Sequence, residues 1–453
     1  MEYKDKKVMV VGMARSGIAA AKLLLAKGAE VLLYDQKTKE HFDVAALLLA
    51  GARDCMGKEP MEVMEAADVL VLSPGVPTRL AFIKKAMAEK KPVISEIELG
   101  YQLAQAAFIC IGGTNGKTTT TALVGEIFKA AGETTYVLGN IGVPISEYAL
   151  ETKPGDIIVA ETAALQLETI DTFRPRAAAL LNITEDHLDR FETMEYYTYA
   201  KMRMFENMQA DDYAVFNADD LLSFEEIKKV KRAHLLTFSR KKEVQEGAFV
   251  RGGEIIFRFR EKEEKVCAVD EIRIPGAHNL ENALAAVCLS MSMGVKKEVV
   301  RETLQTFPGV EHRIEFVREV NGISFINDSK GTNPDATEKA ILAMRQPTVL
   351  LLGGYDKESN FDALFAAFTE NIVGAVLLGE TKEKLVKAAN AAEFTAYETA
   401  DSFEEAVAKA YTKAQAYAKA NVLLSPACAS WDMFPNFEVR GCVFKEIVAR
   451  IEG

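Results

Sequence analysis

A chain of 453 residues, 49% apolar and 26% charged, is too long for one core and predicts roughly two to four globular domains. Its net charge of −12 argues against non-specific binding to nucleic acid or to a membrane surface, although an anionic small molecule needs only a local cluster of cations and N–H groups. The six cysteines are scattered without metal or redox spacing, no apolar run reaches membrane-spanning length, and the opening MEYKDKKVMVVG enters a strand without a leader pattern, so a reduced cytoplasmic protein is expected.

In chain order, residues 8–11 predict a strand, 17–27 a helix, and 30–34 a strand ending at Asp35. Residues 69–72 form a buried strand that runs into Ser73-Pro74-Gly75-Val76-Pro77. This alternation is a Rossmann-like βαβ pattern. Gly12-Met13-Ala14-Arg15-Ser16-Gly17 is close to GxGxxG, with Ala at the second glycine. Taken alone it would suggest a NAD-dependent dehydrogenase built on the Gly12–Asp35 unit. The side chain at Ala14 hinders close approach of a pyrophosphate, so a different nucleotide-like ligand near Arg15, Ser16 and Asp35 is expected. A turn needed only for packing is the alternative.

The next part, about residues 96–306, holds FICIGGTNGKTTTT at 108–121. An apolar run ends in a glycine-rich turn and a helix begins, which makes a cradle for ATP phosphates. Backbone N–H groups of Gly113, Thr114, Asn115 and Gly116 face the anion, Lys117 reaches the outer phosphates, and Thr118 or Thr119 offers a hydroxyl to Mg²⁺. The turn is shorter than the general pattern, because Ile111 stands where a Gly would. Further strands are expected at 157–160 and 178–181, a polar strand-rich stretch near 235–275, and helices at 279–293 and 297–306.

Glu161 ends the strand at 157–160, where a carboxylate beside the phosphate loop can hold Mg²⁺; a solvated strand end is the alternative. His187 lies in NITEDHLDR, just after the next strand. A helix cap accounts for Thr184 and Asp186 but not for His187, so a ligand role is expected there. Lys201 sits on a helix among aromatic and Met neighbours; its residue type alone assigns no role, but a buried lysine can lose its proton and take up CO₂ as a carbamate. Asn279 and Asn282 in GAHNLEN share a helix face; they suit an adenine edge, and N-capping by Asn279 suits equally.

Phe307-Pro308-Gly309 interrupts both periodicities and reads as a linker. Strands at 323–327, 348–352, 373–378 and 421–424 then alternate with helices as a second open α/β sheet. His312-Arg313, NDSKGTNP at 327–334, LGGYDK at 352–357 and SPACASWD at 425–432 supply the strand ends. Lys330, Thr332 and Lys357 there make a positive pocket fit for an acidic small molecule.

These motifs, in this order, resemble the Mur ligases over essentially the whole chain. TNGKTT is similar to the phosphate loop of that family and of the folylpolyglutamate synthases. NDSKGTN and the ending SPACASWDMFPNFEVRG resemble the branch that adds D-glutamate, and the DNPR motif of the diaminopimelate-adding branch is missing. The resemblance implies an α/β protein of three domains: a Rossmann-like UDP-sugar-binding domain at 1–95, a central P-loop ATPase-type domain at 96–306, and a C-terminal Rossmann-like amino-acid-binding domain at 307–453. It implies a cytoplasmic, monomeric, ATP-dependent amide-bond ligase of peptidoglycan precursor synthesis, with UDP-MurNAc-L-Ala, D-glutamate and ATP as its partners, and neither nucleic acid nor membrane.

Carried onto this sequence, the resemblance implies that Arg15, Ser16, Asp35, Gln36, Ser73 and Pro74 bind UDP. Asn140 and Gln166 lie near the reacting end of the sugar. Lys117 with Thr118 or Thr119 holds phosphate and Mg²⁺. Glu161, His187 and a carbamylated Lys201 ligate metal at two expected Mg²⁺ sites. Asn279, Asn282, Arg313 and Asp328 hold the adenosine side of ATP, and Lys330, Thr332, Lys357, Ser430 and Phe437 receive D-glutamate. One departure stands out: the family's Glu-x-Ser-Ser-Phe-Gln-Leu is here Glu161-Thr162-Ala163-Ala164-Leu165-Gln166-Leu167. Loss of one charge-assisted hydrogen bond costs roughly 1.5–3 kcal/mol, on the order of tenfold to hundredfold in rate. A weakened homologue that only binds the UDP-sugar is therefore one alternative; a relative that adds a different amino acid, or glutamyl units to a folate, is another.

Overall fold

The computed structural model describes residues 1–140, 142–186, 188–356 and 359–452. Strands β1 (Lys7–Val11), β2 (Glu30–Tyr34), β3 (Arg53–Asp54), β4 (Val69–Leu72) and β5 (Val93–Ser95) form a parallel sheet in the order β3-β2-β1-β4-β5. Their sequences are nearly continuous apolar runs because helices cover both faces, burying for example Val8, Val10 and Val71 on one side and Met9, Leu70 and Leu72 on the other. Strand order reverses between β1 and β4, where the chain leaves the two strand ends at Gly12 and Ser73. Ser73 Oγ donates to the Gly12 carbonyl (2.8 Å), closing this corner. The helix Arg15–Ala26 packs so tightly on it that a Cβ on Gly17 would overlap the Gly12 carbonyl oxygen.

The second sheet comprises β6 (Ala107–Gly112), β7 (Thr135–Gly139), β8 (Ile157–Glu161), β9 (Ala177–Leu180), β10 (Tyr213–Asn217), β11 (His234–Ser239), β12 (Gly247–Arg251), β13 (Glu254–Phe259) and β14 (Lys262–Ala268). Its order is β14-β13-β12-β11-β10-β9-β6-β8-β7; β12, β13 and β14 pair as antiparallel hairpins and the remaining neighbours are parallel. β6, which delivers the phosphate loop, thus lies between β9 and β8, whose C-terminal ends flank that loop. The third sheet holds β15 (Glu315–Val320), β16 (Ile323–Asn327), β17 (Thr348–Gly353), β18 (Ile372–Leu378), β19 (Tyr397–Thr399) and β20 (Ala420–Leu424) in the order β15-β16-β20-β17-β18-β19, parallel except for the β15–β16 hairpin.

The chain divides into two compact units, residues 1–273 with 279–307, and 274–278 with 308–453. The first two sheets share the first unit. A buried carboxylate helps join them: Glu98, on the helix Glu96–Leu103, is 0% exposed. It accepts the N–H groups of Asp171, Thr172 and Phe173 (each 3.0 Å), the Thr172 hydroxyl (2.6 Å) and the Gln102 amide (2.7 Å). Such saturation offsets the desolvation of a buried charge.

Differences from the sequence reading are small and local. The strand expected at 178–181 runs Ala177–Leu180, and the helix expected from 17 begins at Arg15. The helix expected from 279 is Ala277–Ser292, so Asn279 lies inside it and does not cap it. Among the described residues no helix is long and apolar enough to cross a membrane. Gly17→Ala should destabilise the first unit by roughly 1–3 kcal/mol or more through overpacking against backbone; a fall in the thermal unfolding midpoint checks it, and an unchanged midpoint would count against the tight corner.

Candidate active site

The phosphate loop leaves β6 and enters the helix Lys117–Ala130. Four consecutive threonines open that helix, a poor helical sequence by itself because β-branched side chains lose rotamer freedom. Tertiary contacts compensate. Thr118 Oγ1 donates to Glu161 Oε2 (2.8 Å), and Thr120 Oγ1 donates to Asn282 Oδ1 (3.2 Å). Thr119, the other candidate for a metal-facing hydroxyl, is buried with its Oγ1 unbonded. Gly116 takes a left-handed φ of 85°, and a Cβ there would collide with Asn282 Oδ1.

Asn182 shapes the loop, a role that residue-type reasoning missed. Its Oδ1 accepts the N–H groups of Thr114 (3.1 Å) and Asn115 (2.8 Å), and its Nδ2 donates to the Asn115 carbonyl (3.0 Å). The available signal was its place just after β9, next to β6. Thr114 Oγ1 donates to the Thr184 carbonyl (3.1 Å), accepts the Thr184 N–H (3.0 Å), and lies 3.3 Å from Tyr197 OH.

Both lysines meet at one carbonyl. Lys117 Nζ donates to Gly113 O (3.0 Å) and Thr114 O (2.8 Å), and Lys201 Nζ donates to Gly113 O (2.8 Å). Lys201 comes from the inner face of the helix Met194–Met202, is 3% exposed, and lies 4.3 Å from the Tyr197 ring centroid. Burial first, then the Lys117 charge, holds its pKa well below the usual lysine value; Asp186 acts in the opposite direction.

Glu161, 3% exposed, ends β8 and also accepts Asn140 Nδ2 on Oε1 (2.9 Å). Hydroxyl and carboxylate oxygens at the loop are the hard donors that Mg²⁺ takes, so the residues fit that ion. Asn279 and Asn282 come together beside the loop, Asn282 Nδ2 donating to Asn279 Oδ1 (3.1 Å). Gln166 is buried, and its Oε1 accepts the N–H of Ala163 (2.9 Å), the N-cap of the short helix Ala164–Leu167. A hydroxyl that could accept an N–H of this helix is missing from the N-cap, while Gln166 accepts the N-cap's own N–H. His187 and Lys357 lie outside the described residues.

In the first sheet, Asp35 grips backbone: Oδ2 accepts the Met13 N–H (2.9 Å) and Oδ1 that of Lys37 (3.0 Å). Arg15 is exposed, with NH1 3.5 Å from the Gly142 carbonyl; Gln36 is exposed, and Ser16 and Pro74 are half-buried.

The second unit forms its own cluster. Asp328 is buried, accepting Ser425 Oγ (2.7 Å) and the Ile314 N–H (3.2 Å). Burial raises its pKa to about 6 against the opposing effects of the Ser425 hydrogen bond and the Arg313 charge. Lys330 Nζ lies 5.5 Å from the Phe437 ring centroid. Thr332 is half-buried and Ser430 buried, the latter's carbonyl accepting the N–H of Met433 (3.1 Å) and Phe434 (2.7 Å). Arg440, unassigned from sequence, is 1% exposed. It donates to Ser329 Oγ (3.0 Å), Ser329 O (2.8 Å) and Cys428 O (3.1 Å), and burial pushes its pKa down to about 10.

Comparison with known proteins agrees along the chain. The family described as "Mur ligase MurD-like, N-terminal domain" matches residues 6–95, "Mur ligase middle domain" matches 111–290, and "Mur ligase, glutamate ligase domain" matches 312–428. A UDP-N-acetylmuramoylalanine--D-glutamate ligase of Thermoanaerobacter pseudethanolicus is 46% identical, covering 100% of both chains. The relative of that name in Alkaliphilus oremlandii is likewise 46% identical over 100% of both. Among solved structures, MurC of Thermotoga maritima is similar with a TM-score of 0.60 at 19% identity, covering 98% of this chain and 99% of its own. MurF of Acinetobacter baumannii gives 0.61 at 16% identity, covering 98% and 91%. These two likenesses concern the fold.

Asp328 yields a pH test. Its folded pKa of about 6 lies above the ordinary 3.8, so its contribution to stability is complete below the lower value and is lost as pH rises through the upper one. Asp328→Asn, whose amide can satisfy the same neighbours, should therefore gain on wild type between these pH values, by up to about 3 kcal/mol at neutral pH. Unfolding midpoints of both proteins from pH 4 to 7.5 measure it; a constant difference would show that the carboxyl is not held protonated.

Proposed function

The chain belongs to the Mur ligase family, and from that premise we propose that it adds D-glutamate to UDP-N-acetylmuramoyl-L-alanine with cleavage of ATP, in peptidoglycan precursor synthesis. The observation that carries the reading is the phosphate loop with Lys117 and Lys201 on one carbonyl and Thr118 against Glu161. The full-length identity to relatives of that name supports the choice of D-glutamate.

A carboxylate is a poor acyl donor at neutral pH and must be activated. The alanyl carboxylate oxygen attacks the γ-phosphorus in line, the bond to the bridging oxygen breaks, ADP leaves, and an acyl phosphate forms. The unprotonated D-glutamate amine then attacks the carbonyl carbon; phosphate departs and the nitrogen loses its proton. Lys117 swings from the loop carbonyls to the outer phosphate oxygens and balances charge that builds there. The helix start orients the triphosphate; contrary to the expectation from sequence, the Thr114 and Asn115 N–H groups are held inward by Asn182 and do not face the anion. Thr118 and Glu161, with His187 and a carbamylated Lys201, hold Mg²⁺ at two sites, and the ions neutralise phosphate charge when bound. Carbamate formation joins the neutral Lys201 amine to CO₂ with loss of one proton, turning a neutral buried group beside Lys117 into an anion.

In the same reading Asn279, Asn282, Arg313 and Asp328 hold the adenosine side of ATP. Arg15, Ser16, Asp35, Gln36, Ser73 and Pro74 hold UDP, with Asn140 and Gln166 near the acid to be activated. Lys330, Thr332, Lys357, Ser430 and Phe437 receive D-glutamate. The enzyme acts as a monomer on small molecules in the cytoplasm. Ala163 and Ala164 favour a second reading, a homologue that binds the UDP-sugar without turnover.

Release of ADP should require UDP-MurNAc-L-Ala and D-glutamate together, and a panel of other amino acids should not replace D-glutamate. ADP formed equally well without either substrate would refute the ligase reading; binding of the UDP-sugar without ADP would establish the second one. Lys201→Ala should lose activity by about a hundredfold or more and regain part of it with short carboxylic acids that take the carbamate's place. Wild-type activity in this variant would remove the carbamate from the mechanism.

A further inference from the structure

Residues 162–173, which follow β8 and carry Gln166, are held from several sides. Arg203, at the end of the Lys201 helix, donates to the carbonyls of Leu167 (3.1 Å), Glu168 (2.5 Å) and Ile170 (2.7 Å). Glu98 grips the N–H groups of residues 171–173. Between these clamps the Glu168 side chain, 3% exposed, turns toward the first sheet. It accepts Thr78 Oγ1 (2.9 Å), Tyr196 OH (3.1 Å) and the Arg190 guanidinium. Arg190 also donates to the Val76 carbonyl (3.1 Å), and its own carbonyl accepts Arg79 NH1 (3.3 Å).

One carboxylate therefore touches three elements. Thr78 belongs to the loop that leaves β4 through Ser73 and Pro74. Tyr196 lies on the helix that carries Lys201. Arg190 ends its side chain between Glu168 and the Val76 carbonyl of that same loop. An exposed ion pair would contribute little, but this one is shielded, the Arg190 side chain being 12% exposed, and each donor is directed.

We propose that Glu168 is a positioning residue which fixes the Ser73–Arg79 loop to the Lys201 helix, so that an acid docked through that loop is presented to the phosphate loop. The inference rests on the ligase reading and adds a residue to it. Glu168 touches neither substrate nor nucleotide; it acts by removing freedom between two elements whose side chains must meet one molecule.

The test compares Glu168→Ala, Glu168→Gln, Thr78→Val and the Glu168→Ala/Thr78→Val double variant with wild type, in steady-state kinetics and by thermal unfolding. Glu168→Ala should raise KM for UDP-MurNAc-L-Ala by about tenfold or more while KM for ATP stays within about twofold. Glu168→Gln, whose oxygen still accepts from Thr78 and Tyr196, should recover part of that loss. Thr78→Val should raise the same KM, and the double variant should be no worse than Glu168→Ala, because both changes break one contact. Unchanged KM values with only a lowered unfolding midpoint would overturn the proposal, as would additive effects in the double variant. If Glu168→Ala does not fold, Thr78→Val decides: an unchanged KM there rejects the link. Wild type separates the two levels of failure. No turnover in wild type refutes the ligase reading and this inference with it, whereas normal wild type beside unaffected variants refutes this inference alone.

Discussion

Two lysine side chains converge on the Gly113 carbonyl, and the chemistry of the first unit follows from that crowding. Two cations this close repel each other, the more so because Lys201 is almost fully buried and poorly screened. Burial and the Lys117 charge lower the Lys201 pKa, and the Tyr197 ring lies against its amine. The same surroundings favour any process that places negative charge there: a phosphate against Lys117, or conversion of the Lys201 amine into an anion.

Holding that arrangement requires a stiff frame, built largely from hydrogen bonds to backbone. Asn182 grips the loop, Glu98 collects three successive N–H groups, and Arg203 collects three carbonyls. Each spends a strong polar side chain on fixing main chain, which leaves functional side chains few rotamers. At the Ala163-Ala164 departure Gln166 still accepts the Ala163 N–H, whereas a hydroxyl at this N-cap would accept an N–H from inside the helix. What the missing hydroxyls change is the set of oxygens around the site, and the frame stands without them.

The second unit shows the same economy with opposite charges. Arg440 donates to carbonyl and hydroxyl oxygens of Ser329 and Cys428, and burial lowers its pKa, while burial raises that of Asp328. Both groups lie beside the loops that bear Lys330 and Ser430. Their hydrogen bonds, to Ser425, Ser329 and Cys428, tie the polar cluster together around the strand ends of β16 and β20.

Local features were readable directly. Apolar runs bounded by Gly and Pro marked the strands, Gly112 to Thr119 declared its turn, and the reversal of chemistry at strand ends marked the candidate residues. These follow from backbone conformations and side-chain types that neighbours in sequence control. Boundaries moved by one or two residues where packing extended an element, as at Ala277, which turned Asn279 from a possible cap into a helical residue. Which threonine meets Glu161, the burial that lowers the Lys201 pKa, and the tasks of Asn182, Glu168 and Arg440 came only with the folded chain. Lys201 meets Gly113 across 88 residues, Glu168 meets Thr78 across 90, and Arg440 meets Ser329 across 111. Desolvation and long-range hydrogen bonding depend on what the fold brings near, and no local pattern records that distance.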